Sequence, residues 1–364
     1  MKTPVALYPF VAELLPIVRH FNQLQEQYAI TELISPQGFG LSGKDAGFVC
    51  NHRDIGLTIT NEAYLHMQWE TLIISECVDT KIIDDKEFFN EIAKSALESN
   101  KKVSYYGRKC EDIPKHIFEF IDLYKSKINI HTDDKMFLKN DALYKESGNI
   151  NAPIILIGGL LKEADVLEVL VQLYLKLSKD SLSVTVITRE PICTMFGFYN
   201  INHILMNKDI IESEKIHAIN LYIAYLERLT KPDIIIIEAP DAVMQYSEFV
   251  HNGYGILTQM LCHAISPDYF ICCLPFIFGV EAFINAISED FNRRYGIPIS
   301  VVHLSNVLPD TIDMLQQGKL SYTYVNLELV CNQIEKESKN FNIKMINVLE
   351  SGVDEIVDLL MNGV

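Results

Sequence analysis

"PIILIGGLLKEADVLEVLVQLYLKLSKD", residues 153–180, decides the fold. Its opening is apolar at nearly every position, as in a strand buried on both faces. Gly158 and Gly159 follow, and then Val166, Val169, Leu170, Leu173 and Leu177 recur at helical spacing. Strand, glycine turn and helix in that order can hold a phosphate at the free N–H groups and dipole of the helix N-terminus. The letters do not match this context. Counted from Gly158 along G-x-x-x-x-G-K-[ST], Glu163 stands at the second glycine, Ala164 at the lysine and Asp165 at the Ser or Thr. No cation reaches the outer phosphates, since Lys162 sits at the wrong offset. A carboxylate about 4 Å from a phosphate charge is repelled by about 4 kcal/mol near a protein surface. The segment reads as plain strand–turn–helix scaffolding or as a degenerate nucleotide-type loop, and ATP or GTP hydrolysis is not expected from it.

Outward from this stretch, strand-like runs alternate with helical ones: "SVTVIT" at 183, "DIIIIEA" at 233, "DYFICCL" at 268, "IPISVVHL" at 297 and "KMINVL" at 344. Helices are expected over Glu163–Lys179, Glu212–Thr230 and Val280–Arg294. Residues 152–364 therefore predict a mainly parallel, doubly wound α/β domain, with its crevice at the carboxyl ends of the strands. The strand ends supply the candidate ligand-binding residues Gly158, Gly159, Glu163, Asp165, Arg189, Glu190, Glu238 and Asp241. Glu238 ends a fully apolar strand, as does the acid that holds Mg²⁺ through water beside a phosphate loop. It serves equally as a strand-end turn former. Asn306 follows another strand, where such folds can read a base, and a helix-capping turn explains it as well.

Residues 1–126 also alternate, through "VALYPF", a helix over Ala12–Glu26, "YAITELIS", "TLIISEC", a helix over Lys86–Ser99 and "KKVSYYG". They predict a smaller three-layer, Rossmann-like domain. The polar stretch 127–151 is expected to be a linker. Within the first domain "GFGLSGKD", residues 38–45, spells both G-x-G-x-x-G and most of a phosphate loop. The following "AGFVCNHRDIGLTIT" carries no helical stripe, so no helix dipole would face an anion. Gly38, Gly40, Gly43, Lys44 and Asp45 are read instead as a glycine-shaped loop that could contact a partner.

With 31 basic and 48 acidic residues the net charge is −17, which disfavours nucleic acid and anionic membranes as partners. The apolar run Tyr269–Val280 contains Pro275, stops at Glu281 and falls short of the roughly 20 residues that span a bilayer. The N-terminal run is interrupted by Glu13 and reads as a strand rather than a secretion signal. The 8 cysteines form no C-x-x-C and fit small buried side chains in a reducing cytoplasm. No metal or cofactor is expected. His251 and His263 are accompanied by no nucleophile-and-acid pattern, His217 lies inside a helical stretch, and all three read as structural.

At "PIILIGGLL", "ADVLEVLVQLYLKL", "SVTVIT" and "PDIIIIEAPD" the second domain resembles the phosphate-loop NTPase class that includes dethiobiotin synthetase and the nitrogenase iron protein. That resemblance implies a magnesium-associated role for Glu238. Over the whole chain "LYPF", "SPQGFGLSGKD" and "ILIGG" resemble the peptide maturation system protein family, encoded in anaerobic bacteria beside radical-SAM enzymes and small ribosomal peptides. The resemblance implies an accessory or binding role toward a peptide substrate or its maturation enzymes, in the cytoplasm. The phosphate-loop class also implies a homodimer. The rival expectations are an ATP-dependent ligase or other nucleotide-using transferase with an altered loop, and a metallochaperone-like protein, which the scattered cysteines disfavour.

Overall fold

In the computed structural model the described residues are 2–36, 38–51, 53–61, 67–76, 86–107, 115–132, 148–277, 280–317, 320–338 and 343–362. The chain folds as two compact units, Met1–Lys135 with Arg189–His203, and Met136–Thr188 with Ile204–Val364. Both are α/β, as the apolar runs require.

The first unit carries a six-stranded sheet built from β1 (Thr3–Tyr8), β2 (Tyr28–Ile34), β3 (Ile59–Thr60), β4 (Thr71–Ser75), β5 (Lys102–Gly107) and β6 (Ile128–Thr132). Its order is β3-β2-β1-β4-β5-β6, with every neighbouring pair parallel. This is the doubly wound order 3-2-1-4-5-6. Helices α1 (Leu15–Leu24), α2 (Lys86–Glu98) and α3 (Lys115–Leu123) follow β1, β4 and β5. Pro16 opens α1, where its missing N–H costs nothing, and Ile17, Val18 and Phe21 form the buried stripe. Ile92, Ala96, Ile117 and Ile121 of α2 and α3 pack with Leu72, Ile74, Val103 and Tyr105 of the sheet. Each fully buried large apolar side chain in such a cluster contributes about 1.5–3 kcal/mol.

Two expectations change here. Strand β6 occupies residues 128–132, inside the stretch expected to be linker, because Ile128 and Ile130 give it an apolar side that pairs with β5. Residues 133–147 of that expected linker lie outside the described residues. The sequence reading also assigned residues 189–203 to the second domain, whereas their packing assigns them to the first unit. Phe196 meets Phe21 of α1 edge-on, with ring centroids 5.7 Å apart, and apolar contact of this kind outweighs sequence position.

The second sheet is built from β7 (Ile154–Gly159), β8 (Val184–Thr188), β9 (Tyr199–Asn200), β10 (Ile234–Glu238), β11 (Tyr269–Leu274), β12 (Val301–Leu304) and, after the hairpin β13 (Val307–Pro309) and β14 (Tyr322–Tyr324), β15 (Lys344–Ile346). Its order is β15-β12-β11-β7-β10-β8-β9. The pairs β7·β10, β10·β8, β11·β7, β11·β12 and β12·β15 are parallel. Strands β7 and β11 are buried on both faces, apart from half-buried Tyr269 at the start of β11, which is why they read as unbroken apolar runs. The helices that matter to the site are α4 (Val166–Lys179), the single turn α5 (Asn202–Leu205), α6 (Glu212–Thr230), α7 (Ile256–Ala264) and α8 (Val280–Tyr295). Among the described residues no helix is long and apolar enough to cross a membrane.

Candidate functional site

In the second sheet the connection after β7 leads to β8 on one side, and the connection after its neighbour β11 leads to β12 on the other. Doubly wound sheets bind ligands in the crevice at such a reversal, at the carboxyl end of the strand. That end is Gly158-Gly159. A Cβ on Gly158 would lie 2.7 Å from Val243 Cγ1, and one on Gly159 would lie 2.3 Å from the Leu161 carbonyl oxygen. Both glycines are required by close packing. The loop amides are partly consumed, since Leu160 N–H donates to the Cys273 carbonyl (3.0 Å) and Ala164 N–H to that of Leu161 (3.2 Å). Leu160, Leu161 and Ala164 are buried.

Helix α4 begins three residues later than its acidic start suggests, because Asp165 takes φ 60° and becomes the N-cap. Its carboxylate does not cap the helix. It accepts instead from His303 Nε2 at 3.2 Å. His303 is fully buried on β12, and its Nδ1 accepts from the Val348 N–H at 3.3 Å. A ring nitrogen that accepts carries no proton, so the imidazole is neutral with its proton on Nε2, aimed at Asp165. The pair ties the start of α4 to β12 and to the chain after β15.

Cys273 shares a row of the sheet with Gly159 and His303. Burial first, and then the neighbouring Cys272, Asp165 and Glu238, push its thiol well above the usual value. With a thiol that stays protonated and a histidine whose two nitrogens are both engaged, Cys273, His303 and Asp165 cannot act as a nucleophilic triad. Cys50, Cys193, Cys262 and Cys272 are also buried and in no disulfide among the described residues, while Cys77 and Cys110 lie outside those residues.

Glu238 ends β10 directly beside β7, paired with Ile157, and accepts a hydrogen bond from the Thr188 hydroxyl at the end of β8. The acid-bearing strand is thus the immediate neighbour of the loop-bearing strand. Asp241, three residues on, accepts from the N–H groups of Leu257 (3.0 Å) and Thr258 (2.8 Å) and from the Thr258 hydroxyl (2.6 Å). It caps α7 from outside the helix. Burial raises its carboxyl above the ordinary value, against the bonds from Thr258 and Leu257 and the charge of Lys162. Among the described residues no group of three or more His, Cys, Asp or Glu side chains is placed to hold a metal ion.

The chain before α7 closes over this end of the loop. Asn252 Nδ2 donates to the Leu160 carbonyl at 3.2 Å. Asn252, Gly253, Tyr254 and Gly255 have φ of 47°, 62°, 57° and 68°, a left-handed turn that costs roughly 1–2 kcal/mol at each non-glycine position. His251 stacks on Tyr254, with ring centroids 5.0 Å apart. His263 meets Tyr295 edge-on at 5.5 Å. Asn306 is buried and donates to the Val325 carbonyl at 3.2 Å, so its side chain serves the β13–β14 hairpin.

The eight strand-end candidates divide between the units. Gly158, Gly159, Glu163, Asp165, Glu238 and Asp241 belong to the second. Arg189 and Glu190, expected on the wall of the same crevice, are grouped with the first. Both are buried, Arg189 Nε lies 3.5 Å from Glu190 Oε1, and Asn200 and Asn202 donate to the Arg189 carbonyl at 2.9 and 2.7 Å. Sequence reasoning placed Thr188 at a strand end beside the crevice but missed His303 as a site partner. A lone histidine in the apolar run "IPISVVHL" was the available signal.

The glycine-rich loop of the first unit follows β2, whereas a doubly wound phosphate loop follows β1. Gly38, Gly40 and Gly43 take φ of 89°, 66° and 81° in open space, so they are needed for backbone shape alone. Only the 3-10 turn Ala46–Cys50 follows. Asp45 fills its start, accepting from the N–H groups of Gly47, Ile55 and Gly56 at 2.8 Å each. Lys44 Nζ sits 4.3 Å from the centre of the Phe48 ring. Burial raises the Asp45 carboxyl, but the backbone bonds outweigh it and hold the group below its ordinary 3.8. Its stabilising contribution is therefore complete above pH 3.8 and lost as pH falls through the lower folded value. Asp45→Ala should cost about 1 kcal/mol near neutral pH, with the difference from wild type shrinking in more acid solution. Urea unfolding at several pH values, with amide exchange at Ile55 and Gly56, measures this. An undiminished difference in acid would contradict it.

The fold and loop geometry define a class, a two-unit protein with mainly parallel α/β sheets. No protein-family model matches the sequence, and no curated protein does. Among solved structures, a DUF1611 family protein from Anabaena variabilis superimposes with TM-score 0.63 at 12% identity, over 99% of this chain and 100% of that one. At that identity the likeness concerns the fold alone. Chloroplast FtsY from Physcomitrella patens matches over 62% of this chain and 74% of its own, at 10% identity and TM-score 0.29, which supports no argument.

Proposed function

We propose that this chain is a cytoplasmic accessory or binding protein in the maturation of a ribosomally made peptide, built on a phosphate-loop-like scaffold that does not hydrolyse nucleotide. The observation that carries the second half is Asp165. A carboxylate held by His303 at 3.2 Å stands where a hydroxyl would bind Mg²⁺, and buried Ala164 precedes it in place of the lysine. The peptide role rests on the likeness of "LYPF", "SPQGFGLSGKD" and "ILIGG" to the peptide maturation system family. The loop around Lys44 and Asp45 would supply the contact with a peptide or its modifying enzyme, and the protein would act as a homodimer.

Glu238, at the end of the strand beside β7, favours a second reading as an ATP-dependent ligase or other nucleotide-using transferase. Titration with ATP or GTP and Mg²⁺ separates the two. The accessory reading expects no saturation below about 1 mM, which corresponds to less than about 4 kcal/mol of binding free energy. Tight binding with turnover would remove that reading and support the transferase. Loss of co-purification with the peptide-modifying enzyme in Lys44→Ala, with the fold intact, is the result expected of the contact loop.

A further inference from the structure

The second unit has a cavity of about 670 Å³ at the opposite end of its sheet, against the first residue of β7 and the residues that lead into β11. Ligand pockets commonly span roughly 300–1,000 Å³. One wall is the segment 148–152, which is strapped along α6. Asn220 exchanges hydrogen bonds with both backbone groups of Gly148 (2.8 and 3.2 Å) and donates to the Ala264 carbonyl at 2.9 Å. Glu227 accepts from the N–H groups of Asn151 and Ala152 at 2.7 Å each. A Cβ on Gly148 would lie 2.3 Å from Ala224 Cβ, so this wall is seated against the helix with no slack. The other walls are the last turns of α7 and α8 and Asp268.

Two helices end at this cavity, each carrying roughly half a negative charge at that terminus, although Asn220 already takes the Ala264 carbonyl of α7. Asp268 adds a carboxylate, of which Oδ2 accepts from the Ile154 N–H at 2.8 Å and Oδ1 makes no bond among the described residues. The cation on the wall, Arg294, is turned to Asp290 Oδ1 at 2.9 Å, an oxygen it shares with Arg293, and to Tyr295. The side chains of Asn149, Asn151 and Ser266 also make no hydrogen bond among the described residues. We propose that this cavity binds an organic cation rich in N–H donors, a guanidinium or primary ammonium group such as a basic side chain carries, with Asp268 Oδ1 and the carbonyl ends of α7 and α8 as its acceptors. The inference is independent of the nucleotide and peptide readings, because it uses the amino ends of the strands and none of the loop residues.

Agmatine is the probe and glutarate its anionic counterpart, with binding read from backbone NMR shifts over residues 262–268 of the full chain. Agmatine should saturate with a Kd below about 1 mM at low salt and bind more weakly as salt rises. Asp268→Asn keeps an oxygen for the Ile154 N–H and removes the charge, and should weaken agmatine at least about tenfold. Ser266→Trp, at an exposed position on the rim, should abolish binding. Failure of agmatine to saturate by about 10 mM, tighter binding of glutarate, or indifference to both variants would each overturn the proposal.

Discussion

Gly159→Ala is expected to lower folding stability by about 3 kcal/mol, at the upper end of what overpacking costs. The added methyl would lie 2.3 Å from the Leu161 carbonyl oxygen, 2.9 Å from Val166 Cγ2 and 3.3 Å from the Cys273 carbonyl oxygen. Flexible side chains relieve such clashes cheaply, but two of these three atoms are backbone. Both are also anchored, the Leu161 oxygen by the Ala164 N–H and the Cys273 oxygen by the Leu160 N–H. Relief must shift the turn between β7 and α4 or separate β7 from β11. Urea unfolding of the variant beside the wild type gives the number from the displaced midpoint. A loss under about 0.5 kcal/mol, within the range of ordinary surface substitutions, would mean that the turn is looser than its contacts imply.

Ala164→Lys supplies the cation that a phosphate loop uses, and is expected to destabilise the protein rather than endow it with nucleotide affinity. Ala164 is fully buried, and its N–H is turned back to Leu161. A lysine there must either carry an ammonium into apolar surroundings or open the loop, and an unpaired buried charge costs about 3–5 kcal/mol. The expected pair of results is a large fall in urea midpoint and no saturable ATP binding. A variant that kept its stability and bound ATP would show that position 164 faces the crevice, and the loop would then follow a phosphate-loop path after all.

The parts of this protein legible in the sequence are those where a local pattern and the fold ask for the same thing. "PIILIGG" and the isoleucines of "DIIIIEA" form unbroken apolar runs because β7 and β10 are covered on both faces, and the acid ending the second run does lie beside the end of the first. The helix over Glu212–Thr230 forms with the boundaries that its pattern gives. The glycines of "GFGLSGKD" are used for positive φ, and no α-helix follows them. What the sequence hides is settled by partners distant along the chain. Asp165 looks like a residue of the helix it precedes, and His303, buried on β12 far along the chain, gives its carboxylate a partner outside that helix. Asp241 reads as a crevice acid, and its capping of α7 depends on N–H groups 16 and 17 residues further along the chain. The segment "REPICTMFGFYN", residues 189–200, has the polar start and aromatic end of an ordinary connection, and nothing in it announces which unit Phe196 will join.

Because Arg189–His203 is grouped with the first unit, that unit is assembled from two separate pieces of chain. Vectorial synthesis cannot complete it when residue 135 leaves the ribosome. The platform of Phe21 must wait for Phe196, by which time β7, α4 and β8 of the other unit have already been made. A gene cut after residue 135 would therefore encode a sheet that lacks part of its covering, and dissection into independent halves would have to carry residues 189–203 across to the first half. Circular permutation or proteolysis between the two units meets the same obstacle, since the chain crosses from one to the other more than once.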